Sequence, residues 1–111
     1  MLNESHLNQA FQALADPARR AMLARLSRGP ASVSELAKPL PMSLPAVLQH
    51  LKALEDSGLI STQKKGRVRT ARLEGSALSE AERWLNDRRR EWEARLDRFE
   101  QYLEELQGDH G

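Results

Sequence analysis

The chain has 111 residues, 40% of them hydrophobic and 30% charged, which is about the length of one domain with a modest core. It contains no cysteine, which excludes disulfides and thiolate metal sites, and it has no membrane-spanning apolar run or secretory signal, so we expect a cytoplasmic protein. Residues 1–75 carry 11 basic and 6 acidic side chains (net +5) and residues 76–111 carry 6 and 10 (net −4), so any binding of a polyanion is expected on residues 1–75.

Two short helices are predicted first. Asp16 can cap the second of them, and Pro17 fits its first turn, where a missing N–H costs nothing. Gly29-Pro30 ends this second helix. The first helix is predicted from about Asn3 to Ala15, because apolar residues recur there at i, i+3, i+4 and i+7, namely Leu7, Ala10, Phe11 and Leu14.

A helix-turn-helix is predicted next. Ser32 and Glu35 have the spacing of a capping box, in which each side chain satisfies a backbone donor of the other, and a third helix should follow to about Lys38. Prolines at 39 and 41 bracket a turn, because neither can continue a helix. Ser43 then caps a fourth helix, which Gly58 closes. Two short helices joined by a tight turn make a helix-turn-helix.

Residues 59–73 predict a β-hairpin. Two extended runs, 59–65 and 67–73, meet at Gly66, which supplies the positive φ that a tight turn needs. No acidic residue lies between Gly58 and Leu73, although a merely solvated loop usually mixes its charges. The hairpin is therefore interpreted as a wing that contacts DNA phosphates or inserts an arginine into a minor groove, through Lys64, Lys65, Arg67 and Arg69.

A last helix is predicted from about Ser79 to Leu106. Its apolar residues repeat at intervals of seven on an otherwise charged helix, and such a seam favours a partner helix. Trp84, Trp92 and Phe99 could instead line a ligand pocket, but heptad spacing is more typical of a helix interface. A homodimer is predicted, with an interface that comprises Leu7, Phe11, Leu85, Trp92, Leu96, Phe99, Leu103 and Leu106.

The predicted fold is mainly α with a small β-hairpin, in the order α-α-α-α-β-β-α, which is a winged helix-turn-helix with a long C-terminal helix. Residues 1–75 are assigned to the DNA-binding domain and its N-terminal helix. Residues 76–111 are assigned to the dimerisation helix, within one compact domain overall.

The sequence resembles the bacterial ArsR-type winged-helix repressors. The resemblance covers Phe11 to about Leu73 and rests on ALADPARR (13–20), ELA (35–37), SLPAV (43–47) and HLKALEDSGL (50–59), in this order and spacing. It implies a homodimeric repressor that binds an operator.

The chain departs from the metal sensors of this family. Those sensors carry two cysteines, with one residue between them, on the third helix, and this chain has Ser32 and Ser34 at these positions. Hydroxyl groups are poor ligands for zinc or arsenic. The family's other metal site uses Asp, His and Glu on the last helix, where this chain has no histidine, since its histidines are His6, His50 and His110. The sequence therefore predicts the cysteine-free branch of the family, with no metal and no cofactor.

The fourth helix is predicted to read DNA. Val47, Leu51 and Leu54 share one face and should pack inwards, with Leu48 at the edge of the core. Gln49 is the candidate for reading an adenine edge, and Leu44 and Pro45 are candidates for thymine methyl contacts. For Ser43 a phosphate contact and a helix cap are both open, and for His50 a phosphate contact and a structural role. The DNA-contacting residues predicted on this helix are Ser43, Leu44, Pro45, Ala46, Gln49, His50 and Lys52.

Two functions are weighed. The first is a sequence-specific repressor that binds an inverted repeat in double-stranded DNA as a homodimer. The alternative is a winged-helix module that contacts protein without reading DNA sequence, although a basic wing argues against it. An enzyme is not expected, because no catalytic group set or glycine-rich phosphate loop is present. No membrane partner is predicted, and a small-molecule or protein inducer is left open.

Overall fold

The computed structural model describes residues 4–108, which form five helices and one small sheet. The order is α1 (Glu4–Leu14), α2 (Pro17–Leu26), β1 (Ala31–Ser32), α3 (Val33–Ala37), α4 (Leu44–Asp56), β2 (Ile60–Lys65), β3 (Val68–Leu73) and α5 (Gly75–Gly108). The predicted fold class, mainly α with a β-hairpin in a winged helix-turn-helix, is confirmed. The predicted helix start at Asn3 lies outside the described residues, as does His110.

Side chains cap three of these helices at the positions that the sequence predicts. Asp16 Oδ1 accepts hydrogen bonds from the backbone N–H groups of Ala18 at 2.8 Å and Arg19 at 3.1 Å, ahead of α2. Ser32 Oγ accepts from the N–H of Glu35 at 3.1 Å, ahead of α3. The capping box is only half formed, because the Glu35 carboxylate accepts a hydrogen bond from Arg25 of α2 at 3.2 Å.

The sheet contains one strand that the sequence did not predict. Its order is β1-β3-β2, with both pairs antiparallel, so the two-residue strand β1 lies on the outer side of the hairpin. Ala31 pairs with Ala71 and Ser32 with Thr70. Gly66 has φ +61° and no residue other than glycine has a positive φ among those described, which fits a II′-type turn with glycine in its first central position.

Side chains from α1 to β3 form one hydrophobic core. Its largest fully buried residues are Met22 of α2, Val47 and Leu54 of α4, and Leu59, which precedes β2. Val47, Leu51 and Leu54 all lie inside, as predicted. This packing fixes the rotation of α4 about its axis, so the opposite face of α4 points to solvent.

The chain divides into two units, residues 1–81 and 82–111. α5 starts four residues earlier than predicted, at Gly75. Gly75 and Ser76 have low propensity for a helix interior, but Ala77 and Leu78 pack against the core and Ala81 is buried, which stabilises these first turns. None of the helices between residues 4 and 108 is both long and apolar enough to cross a membrane.

Candidate nucleic-acid interface

The N-terminal half of α4 presents an exposed surface. Ser43 precedes the helix with extended backbone, and its hydroxyl accepts a hydrogen bond from the N–H of Ala46 at 3.3 Å. Leu44, Pro45 and Gln49 are exposed, and Ala46 is half-buried. We call Leu44, Pro45 and Gln49 the reading face. The predicted cap is confirmed at Ser43, and a phosphate contact there stays a prediction.

Leu48 does not lie where the sequence predicts. It was expected at the edge of the core, but 45% of its surface is exposed. Because successive helical residues are about 100° apart, Leu48 is rotated about a quarter turn from the buried stripe that Val47 starts. A helical projection centred on Val47, Leu51 and Leu54 would have indicated this exposure from the sequence alone.

His50 links α4 to α2. Its side chain is half-buried, and its Nδ1 accepts a hydrogen bond from Arg19 Nε at 3.1 Å. Asp16 Oδ1 lies 4.0 Å from the same nitrogen. The geometry matches the structural role considered for His50, and a phosphate contact stays a prediction.

Asp16 is held in its ionised form. The backbone N–H of Arg19 hydrogen-bonds its carboxylate and is the main reason that the pKa of Asp16 lies below its ordinary value. Desolvation opposes this effect, while the N–H of Ala18 and the nearby His50 and Arg19 side chains lower the pKa further. The sequence predicts the Asp16 cap but gives no signal for its connection to His50, which is 34 residues away.

The wing is the hairpin tip, residues 64–69. Lys64, Lys65, Arg67 and Arg69 are all exposed. Lys64 and Arg69 are directly opposite each other in the ladder, an arrangement of like charges that destabilises a hairpin unless an anion offsets it. Among the described residues, none of these four side chains forms an ion pair. The wing therefore presents concentrated positive charge.

A hydrogen-bonded chain connects the base of the wing to α4. Arg69 Nη1 donates to Thr62 Oγ1 at 2.9 Å, and that hydroxyl donates to Glu55 Oε2 at 3.1 Å. This connection could not be predicted from the sequence, because it depends on the register of the strands. Lys52 is exposed, and its Nζ lies 3.9 Å from Asp56 Oδ2, a surface pair of little energetic weight.

The residues predicted for a dimer interface fall into two groups. Leu7 of α1 is buried within the protomer, with 8% of its surface exposed, and Phe11 is half-buried. The residues on α5 are 41–60% exposed. We call this apolar stripe the seam: Leu85, Trp92, Leu96, Phe99, Leu103 and Leu106.

The positions of the family's thiolate metal site do not fit a metal here. Ser32 Oγ is engaged as the cap of α3, and Glu35 is paired with Arg25. In the described part of the chain, no group of three or more His, Cys, Asp or Glu side chains could hold a metal ion.

Relatives in sequence match the helix-turn-helix and the elements around it. The family described as a helix-turn-helix domain matches residues 14–63. The HTH-type transcriptional regulator Rv2034 of Mycobacterium tuberculosis is 46% identical over 72 residues, which cover 65% of this chain and 67% of that protein. The transcriptional repressor SdpR of Bacillus subtilis is 29% identical over 79 residues, which cover 71% of this chain and 88% of that protein.

Solved structures extend the similarity to most of the chain. The crystal structure of an ArsR family transcriptional regulator is 54% identical with a TM-score of 0.80, and covers 83% of this chain and 95% of that one. The homodimeric winged helix-turn-helix DNA-binding domain Mb0332 from Mycobacterium bovis is 25% identical with a TM-score of 0.62, and covers 75% and 79%. The resemblance predicted from the sequence is confirmed. The chain belongs to the ArsR family of winged helix-turn-helix transcriptional regulators, which bind DNA.

Proposed function

We propose that this regulator is a homodimeric repressor that binds an inverted-repeat operator and does not respond to metal ions. The observation that carries the proposal is the pairing of two exposed surfaces, the reading face of α4 and the basic wing. α4 is anchored by buried Val47, Leu51 and Leu54, so its reading face is rigidly oriented. Rigid presentation of a helix beside a basic hairpin suits a major groove and its flanking phosphates.

In this proposal the reading face contacts bases. The Gln49 amide donates to and accepts from the edge of an adenine, while Leu44 and Pro45 contact thymine methyl groups. Ala46 is half-buried at the same end of the helix and allows close approach of the DNA. Ser43 and the first N–H groups of α4 contact a phosphate.

The wing and two side chains of α4 contribute phosphate contacts in this proposal. Lys64, Lys65, Arg67 and Arg69 neutralise backbone charge, which adds salt-dependent affinity without sequence preference. Lys52 and His50 contact the backbone beside the reading face. The net +5 of residues 1–75 supports this placement of the DNA.

The homodimer is proposed to form through α5 with a contribution from half-buried Phe11, while Leu7, which was predicted for the interface, is already buried within the protomer. The seam leaves six large apolar side chains exposed on one helix of the protomer, which is typical of an interface. The related Mycobacterium bovis domain is described as homodimeric. A two-fold axis would set two copies of α4 about 34 Å apart, one DNA turn, and so require an inverted repeat.

The proposal also includes repression of transcription and the lack of a response to metal ions. The relative SdpR is named as a repressor, and a dimer bound over a promoter blocks transcription by occupancy. Ser32 and Ser34 replace the thiolates of the family's metal sensors. We expect that zinc, nickel or arsenite added at equimolar concentration leaves the affinity of the repressor for its operator unchanged.

Selection of binding sites from a random DNA pool tests the proposal. We expect the purified protein to select an inverted repeat with half-sites one turn apart. Gln49→Ala should reduce the preference at one base pair per half-site by about 1–3 kcal/mol and leave the salt dependence unchanged. Gln12→Ala, an exposed glutamine on α1, is the matched control and should leave the preference intact. Selection of no sequence, or equal behaviour of the two variants, would contradict the proposal.

A further inference from the structure

The described residues expose few large aliphatic side chains outside α5. They are Leu44, Leu48 and Val68, and all three lie on α4 or on the wing. Leu44 is 55% exposed and Leu48 is 45% exposed. The two leucines lie on the helix proposed to read DNA, where neighbouring exposed apolar side chains are available for an apolar contact.

Leu44 and Leu48 form a continuous strip along α4. Residues four apart lie one above the other on a helix, so the two side chains are neighbours. Gln49 follows Leu48 directly and is exposed beside the strip. The acidic residues of the helix, Glu55 and Asp56, lie at its other end, at least seven residues, or about 10 Å, beyond Leu48. The strip therefore lies at the acid-free end of α4.

We propose that Leu48 is a further specificity-determining residue, which together with Leu44 contacts the C5-methyl groups of thymine in the operator. The inference rests on the proposed function and adds to it the chemical group of the operator that Leu44 and Leu48 recognise. In the major groove the thymine methyl is the apolar feature of the base edges. A thymine next to the adenine contacted by Gln49 would bring its methyl to the adjacent Leu48.

The surroundings of the strip favour DNA over a partner protein. Lys52 lies one turn beyond Leu48, and the wing adds four exposed cations with no acid between Gly58 and Leu73. These charges complement a polyanion. Two leucines also present too little apolar area for a stable protein interface, whereas a methyl group needs no larger patch.

Replacement of thymine by uracil in the DNA tests the proposal directly. Uracil lacks the methyl group and keeps the hydrogen-bonding edge, so only the apolar contact is removed. Binding of the wild-type protein to the selected inverted repeat is measured with thymine and with uracil at one position of each half-site, next to the adenine contacted by Gln49. We expect the affinity to fall about fourfold for each methyl removed, or about sixteenfold for two equivalent half-sites.

Two variants test whether the loss of affinity for uracil-containing DNA depends on Leu48. Leu48→Ala preserves helix propensity and exposes no core, and it should bind equally the thymine form and the form with uracil at that single position, because Leu44 faces a different methyl group. Val68→Ala removes an exposed aliphatic side chain from the wing, away from α4, and should retain the wild-type response. Equal affinity of the wild-type protein for both forms, a response to uracil that persists in Leu48→Ala, or a selected half-site without thymine would overturn the role of Leu48 while the repressor proposal stands. Selection of no sequence would overturn both proposals.

Discussion

A small set of polar contacts links α4 to α1 and α2, in addition to its packing in the core. Arg19 of α2 donates to the imidazole of His50, and Asp16 caps α2 while lying 4.0 Å from the same ring nitrogen. Arg19 Nη1 also donates to the carbonyl of Gln12 at 3.3 Å. These contacts join α1, the start of α2 and the middle of α4. We infer that they hold the reading face in place on the side of α4 that the core does not fix.

The charge of Asp16 should stabilise the fold above acid pH. Its pKa is lowered in the folded state, chiefly by the N–H of Arg19, so ionised Asp16 stabilises the fold at pH values above its ordinary pKa of 3.8. That contribution is lost as the pH falls through the lowered pKa. Asp16→Asn keeps an oxygen that can cap α2 but removes the charge. We expect a lower melting temperature for this variant at pH 7, and a difference that shrinks below about pH 4.

Thermal unfolding by circular dichroism between pH 2.5 and 7 measures this effect. Asp97→Asn on α5 removes the same charge from an exposed site and serves as the control. A difference between wild type and Asp16→Asn that stayed constant down to the lowest pH would mean that the charge of Asp16 does not stabilise the fold.

The helices could be predicted from the sequence because their signals are local. A capping side chain and an apolar period define α2 and α4, and the structure has both features at Asp16, Ser43 and the buried stripe of α4. The strand β1 could not be predicted, because two residues carry no period and their pairing with Thr70 and Ala71 is tertiary. The early start of α5 is likewise decided by packing of Ala77 and Leu78.

The exposed residues of the candidate site could be predicted from the sequence, but the side-chain contacts that connect its elements could not. The exposure of Gln49 and of the wing follows from the positions of buried and charged residues along the chain. The contacts of His50 with Arg19, and of Thr62 with Glu55, join segments that are distant in the sequence, so no periodic pattern of residues indicates them. Leu48 was misplaced because adjacent apolar residues were taken as one face.

The wing should supply affinity rather than sequence preference. Lys65 and Arg67 flank the turn at Gly66 and are exposed, so replacement of both by Ala should leave the fold intact. We expect weaker binding to every duplex, and a slope of log K against log salt that is smaller in magnitude by about 4, because a bound homodimer loses two phosphate contacts in each of its two wings. Binding of specific and unrelated duplexes between 50 and 300 mM salt, on the order of the physiological range, measures both.

A matched double variant controls for net charge. Arg28→Ala with Arg72→Ala also removes two exposed cations, from the end of α2 and from the base of the hairpin. Its salt slope should stay closer to that of the wild type. If the two double variants lost affinity equally, net charge and not the wing would account for the effect.

At the scale of the whole molecule, charge and apolar surface are divided between the two parts of the chain. Residues 1–75 carry the net positive charge and the surfaces proposed for DNA, while α5 carries net negative charge and the seam. A negative helix is repelled by phosphates, which suits a role in dimerisation and disfavours one in DNA binding. One short reading face contacts a few base pairs, so a second copy is needed for a specific site.

Disruption of the seam should therefore abolish specific DNA binding without touching the reading face. Leu96→Glu places a charge at the centre of the seam, where dimerisation would bury it without a partner, and Glu is compatible with the helix. We expect a monomer in sedimentation, with affinity for the inverted repeat reduced about 100-fold or more because the two half-sites are no longer engaged together. Ala94→Glu adds the same charge two residues away, off the seam, and should remain a dimer with near wild-type affinity. A dimeric Leu96→Glu, or a monomeric wild type at micromolar concentration, would show that α5 does not pair through the seam.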